Sequence, residues 1–373
     1  MAWLGAALGL ALIAIVFVDA FEVMLLPRRV RHAYRLARLY YRWAWQVWRG
    51  IARGLPGGAF RHAFLGVFGP LSLFALIFLW ALGLIAGFAL LHWSLDTGIS
   101  GTDGNFFAYL YFSGGTFFTL GFGDMVPSGA LGRFLSIAEA AIGFIFLAVI
   151  ISYLPVLYQA FSRREITISL LDARAGSPPT AGEFLRRLAE ARQPTCGFLG
   201  EWERWAAELL ESHLSFPLLS YYRSQHDNQS WVAALTMILD TTALMIAAAK
   251  DSDGYPARLT FAMARHAAVD LGMVYSQLPR APKQDRLPPP EWERLHASLS
   301  GAGLPLRDGP ESAKALAELR ALYEPFVNTL AIFFQLTLPP FLPTQTPVDN
   351  WQTAPSTRRS PGLGGLAGSD EVH

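Results

Sequence analysis

One cysteine, Cys196, occurs in 373 residues, so no disulfide can form within the chain and no cysteine-based metal site can be built. Charge is scarce as well. Asp, Glu, Lys and Arg make up 16% of the residues against 52% hydrophobic ones, which few soluble domains match, and a membrane protein is expected. The net charge of +1 says little, because the charges are unevenly spread. No basic segment precedes the first apolar run and no small-x-small cleavage site follows it, so the run is read as a retained span, not a leader. Acids are missing altogether from Val23 to Leu95.

Three runs are apolar and long enough to cross a bilayer, which takes about 20 helical residues: roughly 3–26, 71–93 and 134–161. Pro70 suits the first turn of the second, where its missing N–H costs nothing. The stretch 109–118 is too short to cross and reads as a re-entrant helix surrounded by protein. Between the first two spans stand Arg28, Arg29, Arg31, Arg35, Arg38, Arg42, Arg49, Arg53 and Arg61, which should hold that loop in the cytoplasm. The N-terminus is then outside, and Arg163 and Arg164 mark the return to the cytoplasm. Arg28, Arg31, Arg35, Arg38, Arg42 and Arg49 share a helical face, with Leu36, Leu39, Tyr40, Trp43 and Val47 on the others. This reads as a helix lying in the inner headgroup layer. A voltage sensor is the weaker reading, because only one span precedes the segment.

Between the second and third spans lies Thr116-Phe-Phe-Thr119-Leu120-Gly121-Phe122-Gly123-Asp124. A dehydrated monovalent cation needs closely stacked oxygen ligands, and glycines at alternate positions let a backbone present its carbonyls that way. The string resembles the filter of pore-loop potassium channels, with Leu120 and Phe122 where the commonest version has Val and Tyr. The resemblance covers about residues 67–160, under a third of the chain. It implies an all-α membrane protein with a helix, pore helix, filter and helix in each pore unit. It also implies that carbonyls of Thr119, Leu120, Gly121 and Phe122 bind K+, that the Thr119 hydroxyl completes the innermost site, and that Gly123 forms the outer mouth. Asp124 is expected behind the mouth, hydrogen-bonded to the pore helix, with Thr116, Tyr111 and Phe112 as further support. Some relatives have a carboxylate four residues before the filter Thr; Gly115 stands there in this chain.

Glu139 lies early in the third span, where a charge is costly unless paired, and is expected to face the back of the pore helix. Gly143 matches the gating glycine of relatives and equally suits close helix packing. Pro155 removes a helical hydrogen bond and should kink the span, making the stretch around Pro155 and Tyr158 a candidate gate. Asp19 and Glu22 are expected to pair with Arg28 and Arg29.

From 163 the composition is that of a helical domain, with helices expected over 198–214, 230–250, 256–278 and 312–336 and a proline-rich break at 279–290. The run 232–249 could pass for a span, but Asp240, Thr236, Thr241 and Thr242 favour a buried bundle helix. Ser230 is a candidate N-cap for it. His213, His226, His266 and Asp270 could ligate a metal, though structural hydrogen bonding is the commoner use of such residues. No strand precedes Gly362-Leu-Gly-Gly-Leu-Ala367, so this match to a nucleotide-binding string carries no weight, and alternating strands of a cyclic-nucleotide barrel are not seen.

The expected organisation is a first span (1–27), a basic amphipathic helix and linker (28–64), a pore domain (65–162), a cytoplasmic helical regulatory domain (163–342) and a disordered tail (343–373). One filter per chain implies a homotetramer in the plasma membrane passing K+, with no cofactor besides the permeant ion. The expected partners are membrane lipid and an unidentified cytoplasmic ligand, not nucleic acid. The alternatives are a weakly selective cation channel, a transporter built from the same pore unit, and a membrane-anchored sensor with a vestigial pore.

Overall fold

The computed structural model describes residues 2–25, 36–224, 229–250, 254–275, 278–307 and 309–343. Its helices divide into two units, Met1–Gln159 and Ala160–His373. Arg28, Arg29, Arg31, Arg35, His226 and the polar tail from 344 lie outside the described residues.

The first unit contains α1 (Ala2–Met24), α2 (Leu36–Gly54), α3 (Ala59–Ser94), a short helix α4 (Phe106–Phe117) and the start of α5 (Ala130–Ala175). Helices α1, α3 and α5 are long and apolar enough to span a bilayer, and exposed side chains such as Leu8, Phe17, Phe74, Phe78, Phe144 and Ile151 suit contact with lipid. In hydrocarbon, apolar side chains have no reason to leave lipid for one another, so helices associate where small residues let backbones approach. Gly5 and Gly9 on α1, and Gly83 and Gly87 on α3, do this. A Cβ at Gly9 would lie 2.7 Å from the Gly87 carbonyl oxygen, and one at Gly5 2.7 Å from Ser94 Cβ. A Cβ at Gly83 would meet Val16 at 2.8 Å, so the two helices run antiparallel.

Asp19 joins three helices. Its carboxylate accepts from Ala37 N at 3.1 Å, one of the first-turn donors of α2 that has no helical partner, and from Trp80 Nε1 on α3 at 2.9 Å. Asp19 thus has a helix-capping role, and the expected partners Arg28 and Arg29 lie outside the described residues. Helix α2 also differs from a helix floating free on lipid. Trp48 stacks on Phe64 at 4.3 Å, Trp45 packs edge-on against Phe68, and Tyr40 OH donates to Ser72 O at 2.9 Å. One side is docked on α3, while Leu36, Leu39, Trp43, Val47 and Ile51 stay exposed.

Helix α3 begins at Ala59, so Pro70 sits inside it and not at its first turn. The proline removes one N–H, and the adjacent Ser72 hydroxyl donates to Gly69 O at 2.9 Å. A two-residue antiparallel ladder, β1 (Ile99–Ser100) with β2 (Val126–Pro127), ties the loop after α3 to the chain that follows Asp124. Helix α5 is assigned without interruption through Pro155 to Ala175, about 70 Å at 1.5 Å per residue.

The second unit, beyond the end of α5, contains α6 (Ala181–Glu190), α7 (Thr195–Ser215), a 3₁₀ turn (Pro217–Tyr221), α8 (Trp231–Ala248), α9 (Gly254–Val274), α10 (Pro289–Gly301), α11 (Pro310–Ala321) and α12 (Glu324–Phe334). The run expected as one helix over 312–336 is two. Pro325 falls in the first turn of α12 and forces the preceding residues out of the helix. Helix α8 has the length and hydropathy of a span, yet nearly all of it is buried inside the protein. Ser230 caps it, accepting from Ala233 N at 3.0 Å. Asp240 receives Arg286 Nη2 at 2.6 Å and Tyr323 OH at 2.5 Å, which settles a carboxylate in the middle of an apolar helix. Arg286 reaches Glu324 at 3.1 Å as well, and Arg320 joins Glu324 to Asp285.

Candidate functional site

Helix α4 ends at Phe117, and residues 118–124 leave it as an irregular segment of unusual conformation. Leu120 N donates to Gly115 O at 2.8 Å and Thr119 N to Thr116 O at 3.0 Å, so the chain turns tightly out of the helix. From there φ alternates in sign: it is +54° at Thr119, +63° at Gly121 and +81° at Gly123, with neither Leu120 nor Phe122 positive. Consecutive peptides of an ordinary strand face opposite ways. Alternating the hand at each residue lets neighbouring carbonyls face the same way, and glycine adopts the left-handed half at little cost. No atom lies within 4 Å of where a Cβ would stand at Gly121 or Gly123. The requirement for glycine there comes from φ and not from crowding. Residues Phe118 to Asp124 are exposed throughout.

Support comes from both ends. The Tyr111 ring on α4 stacks on Phe122 with centroids 6.0 Å apart and planes within 7°, and its hydroxyl engages Asp124. Asp124 also accepts from Met125 N at 3.1 Å. Phe112 packs with Ala89, Ile99 and Tyr109, edge-on to His92.

Glu139 is wholly buried. Its Oε1 meets the Ser113 hydroxyl of α4, which also lies 3.0 Å from Ile85 O on α3. His92 Nε2 stands 3.8 Å from Glu139 Oε2, and His92 Nδ1 is 2.7 Å from Thr97 Oγ1. One carboxyl group thereby links α5, α4 and α3. Sequence placed Glu139 in a span, but the participation of His92 and Ser113 carried no local signal.

Gly143 sits where α5 crosses the end of α4, and a Cβ there would be 2.1 Å from Phe117 O. The structure thus gives this glycine a packing role. Tyr158 lies exposed on α5, and the helix continues through Pro155.

The second unit holds a separate cluster. Arg164, buried near the end of α5, donates to Leu219 O and Tyr222 O, both at 2.9 Å, and stands 3.2 Å from His213 Nε2. His213 Nδ1 lies 2.8 Å from Leu209 O. That places the ring proton on Nδ1 and leaves Nε2 to accept from Arg164. Burial, then the Arg164 charge, holds His213 well below the usual histidine range. His213 is thus engaged with Arg164, while His266 and Asp270 pair at 3.7 Å on α9. Among the described residues no group of three suitable side chains could hold a metal.

The family described as Ion channel matches residues 73–159. The "Uncharacterized membrane protein YdjJ" of Bacillus subtilis (strain 168) is 27% identical over 212 residues, 52% of this chain and 57% of that protein. The chain therefore spans a little over half the length of that relative. No solved structure matches. The resemblance to pore-loop channels holds over residues 73–159, from α3 through α4 and the segment 118–124 into α5.

Proposed function

We propose that four copies of this chain surround a pore selective for potassium in the plasma membrane, with the N-terminus outside and the second unit in the cytoplasm. The alternation of φ from Thr119 to Gly123 carries this reading. Carbonyls of Thr119, Leu120, Gly121 and Phe122, repeated around a fourfold axis, would replace the hydration shell of K+. One strand supplies only a quarter of such a shell, and its exposure from Phe118 to Asp124 fits a surface covered by further copies. The protein then moves an ion and changes no covalent bond. Tyr111, Asp124 and the Glu139–Ser113 contact hold the strand and α4 in place.

The second unit regulates opening in this reading, because the helix that lines the pore, α5, supplies Arg164 to its core. A ligand that stabilises one arrangement of that core shifts the open population by its differential affinity. The test is ion flux in proteoliposomes holding the full chain. Dissipation of a potassium gradient is expected, with a sodium gradient maintained. Equal flux of both ions would favour a weakly selective cation channel, and no flux of either would favour a membrane-anchored sensor.

A further inference from the structure

The first unit contains a groove of about 280 Å³ between α1, α2 and α3. We propose that it binds an acyl chain of an anionic phospholipid whose phosphate is held by the arginine face of α2. The proposal rests on α1 and α3 crossing the bilayer, and requires nothing of the ion that the pore passes.

The lining decides the chemistry of the occupant. Val16 comes from α1, Leu36, Leu39 and Trp43 from α2, and Leu76 and Leu79 from α3. Three lining side chains carry a polar group: Tyr40 OH donates to Ser72 O, Trp80 Nε1 donates to Asp19, and Trp43 contributes an indole N–H on a largely exposed ring. The rest of the lining is aliphatic and offers an occupant few hydrogen bonds, so hydrocarbon fits better than a polar metabolite. The volume lies just below the small end of ligand sites, roughly 300–1,000 Å³, which suits a single chain and not a protein helix.

The rim decides the charge. At 100° per residue, Arg38, Arg42, Arg49 and Arg53 fall within about 60° of arc on α2. Arg38 and Arg42 flank the groove residue Leu39 and are exposed. No acid occurs from Val23 to Leu95 to offset them. Meanwhile Ala37, Trp45 and Ala52 are buried on a different side of α2. The helix thus offers a docked sector, an apolar sector beside the groove and a cationic sector. A membrane lipid with a negative headgroup satisfies the last two at once. Val16, Leu36, Leu39, Tyr40 and Trp43 of the lining lie outside the matched pore segment, and Leu76, Leu79 and Trp80 lie within it.

The experiment uses the full-length protein in phosphatidylcholine nanodiscs doped with phosphatidylglycerol that carries a photoreactive diazirine on its acyl chain. Adducts are mapped by peptide mass spectrometry. The expected adducts fall on residues 36–43 and 76–80, and unlabelled phosphatidylglycerol competes with them while phosphatidylcholine does not. The Arg38→Gln/Arg42→Gln double variant should lower capture roughly tenfold. Leu39→Trp, which fills the groove and keeps every arginine, should abolish the adducts on α3. Size-exclusion behaviour reports the folding of each variant, and absence of potassium flux from the wild-type protein with its adducts retained would count against the pore reading alone. Equal capture of a phosphatidylcholine probe, adducts spread evenly over α1, α3 and α5, or unchanged capture by Leu39→Trp would overturn the proposal.

Discussion

Replacing Gly143 by alanine separates packing from hinge motion at the crossing of α5 and α4. Within a helix, Gly to Ala gains about 1 kcal/mol from backbone propensity alone. Here the new Cβ would lie 2.1 Å from Phe117 O, 3.0 Å from its carbonyl carbon and 3.3 Å from its Cα. All three are backbone atoms, so no side chain can swing away. The end of α4 must move from α5 by roughly 1 Å, because protein interiors are close-packed. Overpacking of this kind costs about 1–3 kcal/mol, and a fixed backbone neighbour puts the site at the upper end. A net loss of about 1–2 kcal/mol per subunit remains. Phe117 precedes Thr119 by two residues, so the displacement enters the filter strand directly. Gly114→Ala on α4 is the control: its Cβ would meet only Ile85 Cγ2, at 3.9 Å, so the helix gains propensity without overlap. Thermal denaturation followed by size exclusion, with potassium flux in parallel, is the assay. Gly143→Ala should be less stable and should lose flux, and Gly114→Ala should lose neither. A Gly143→Ala protein as stable as wild type, with altered opening only, would refute the packing account and restore the hinge.

Three further outcomes follow from single contacts. Gly123→Ala places a Cβ on a residue with φ of +81°, at about 1–2 kcal/mol per subunit, and potassium flux should be lost while assembly by size exclusion is kept. Asp240→Ala strands the buried Arg286, leaving Glu324 as its carboxylate partner, and should destabilise the second unit by about 3 kcal/mol in a denaturant titration. His213 is held neutral in the folded protein, so its contribution is intact above its ordinary pKa of about 6.5 and declines as pH falls below that value. Thermal stability should therefore drop from pH 6.5 to 5.5 by up to about 1.4 kcal/mol, and His213→Gln should flatten that part of the profile.

Much of the membrane portion was legible in the sequence, because hydropathy and the filter string act locally. Three apolar runs became α1, α3 and α5, and Asp240 marked α8 as a helix needing a buried partner before Arg286 was seen to provide it. The contacts that the sequence does not reveal depend on distant residues. Asp19 is paired with Ala37 N and Trp80, the latter 61 positions away, which its own neighbours do not reveal. Trp45 and Trp48 on α2 pack against Phe68 and Phe64 of α3, which the sequence of α2 by itself does not reveal. Two signals were present and unread. The Gly-x-x-x-Gly pairs at 5–9 and 83–87 announce a close helix crossing, and Pro325 announces the break between α11 and α12. The contact of Glu139 with Ser113 and His92 had no such signal, since it needs the relative rotation of three helices.

The most direct measurement of the central claim is the reversal potential of the purified full-length protein in a planar bilayer with potassium on one side and sodium on the other. A filter lined by the carbonyls of Thr119 to Phe122 predicts a reversal potential displaced strongly toward the potassium equilibrium value, and no current from Gly123→Ala. A reversal potential near zero, or unchanged current from Gly123→Ala, would contradict the assignment of these residues as a potassium-selective filter.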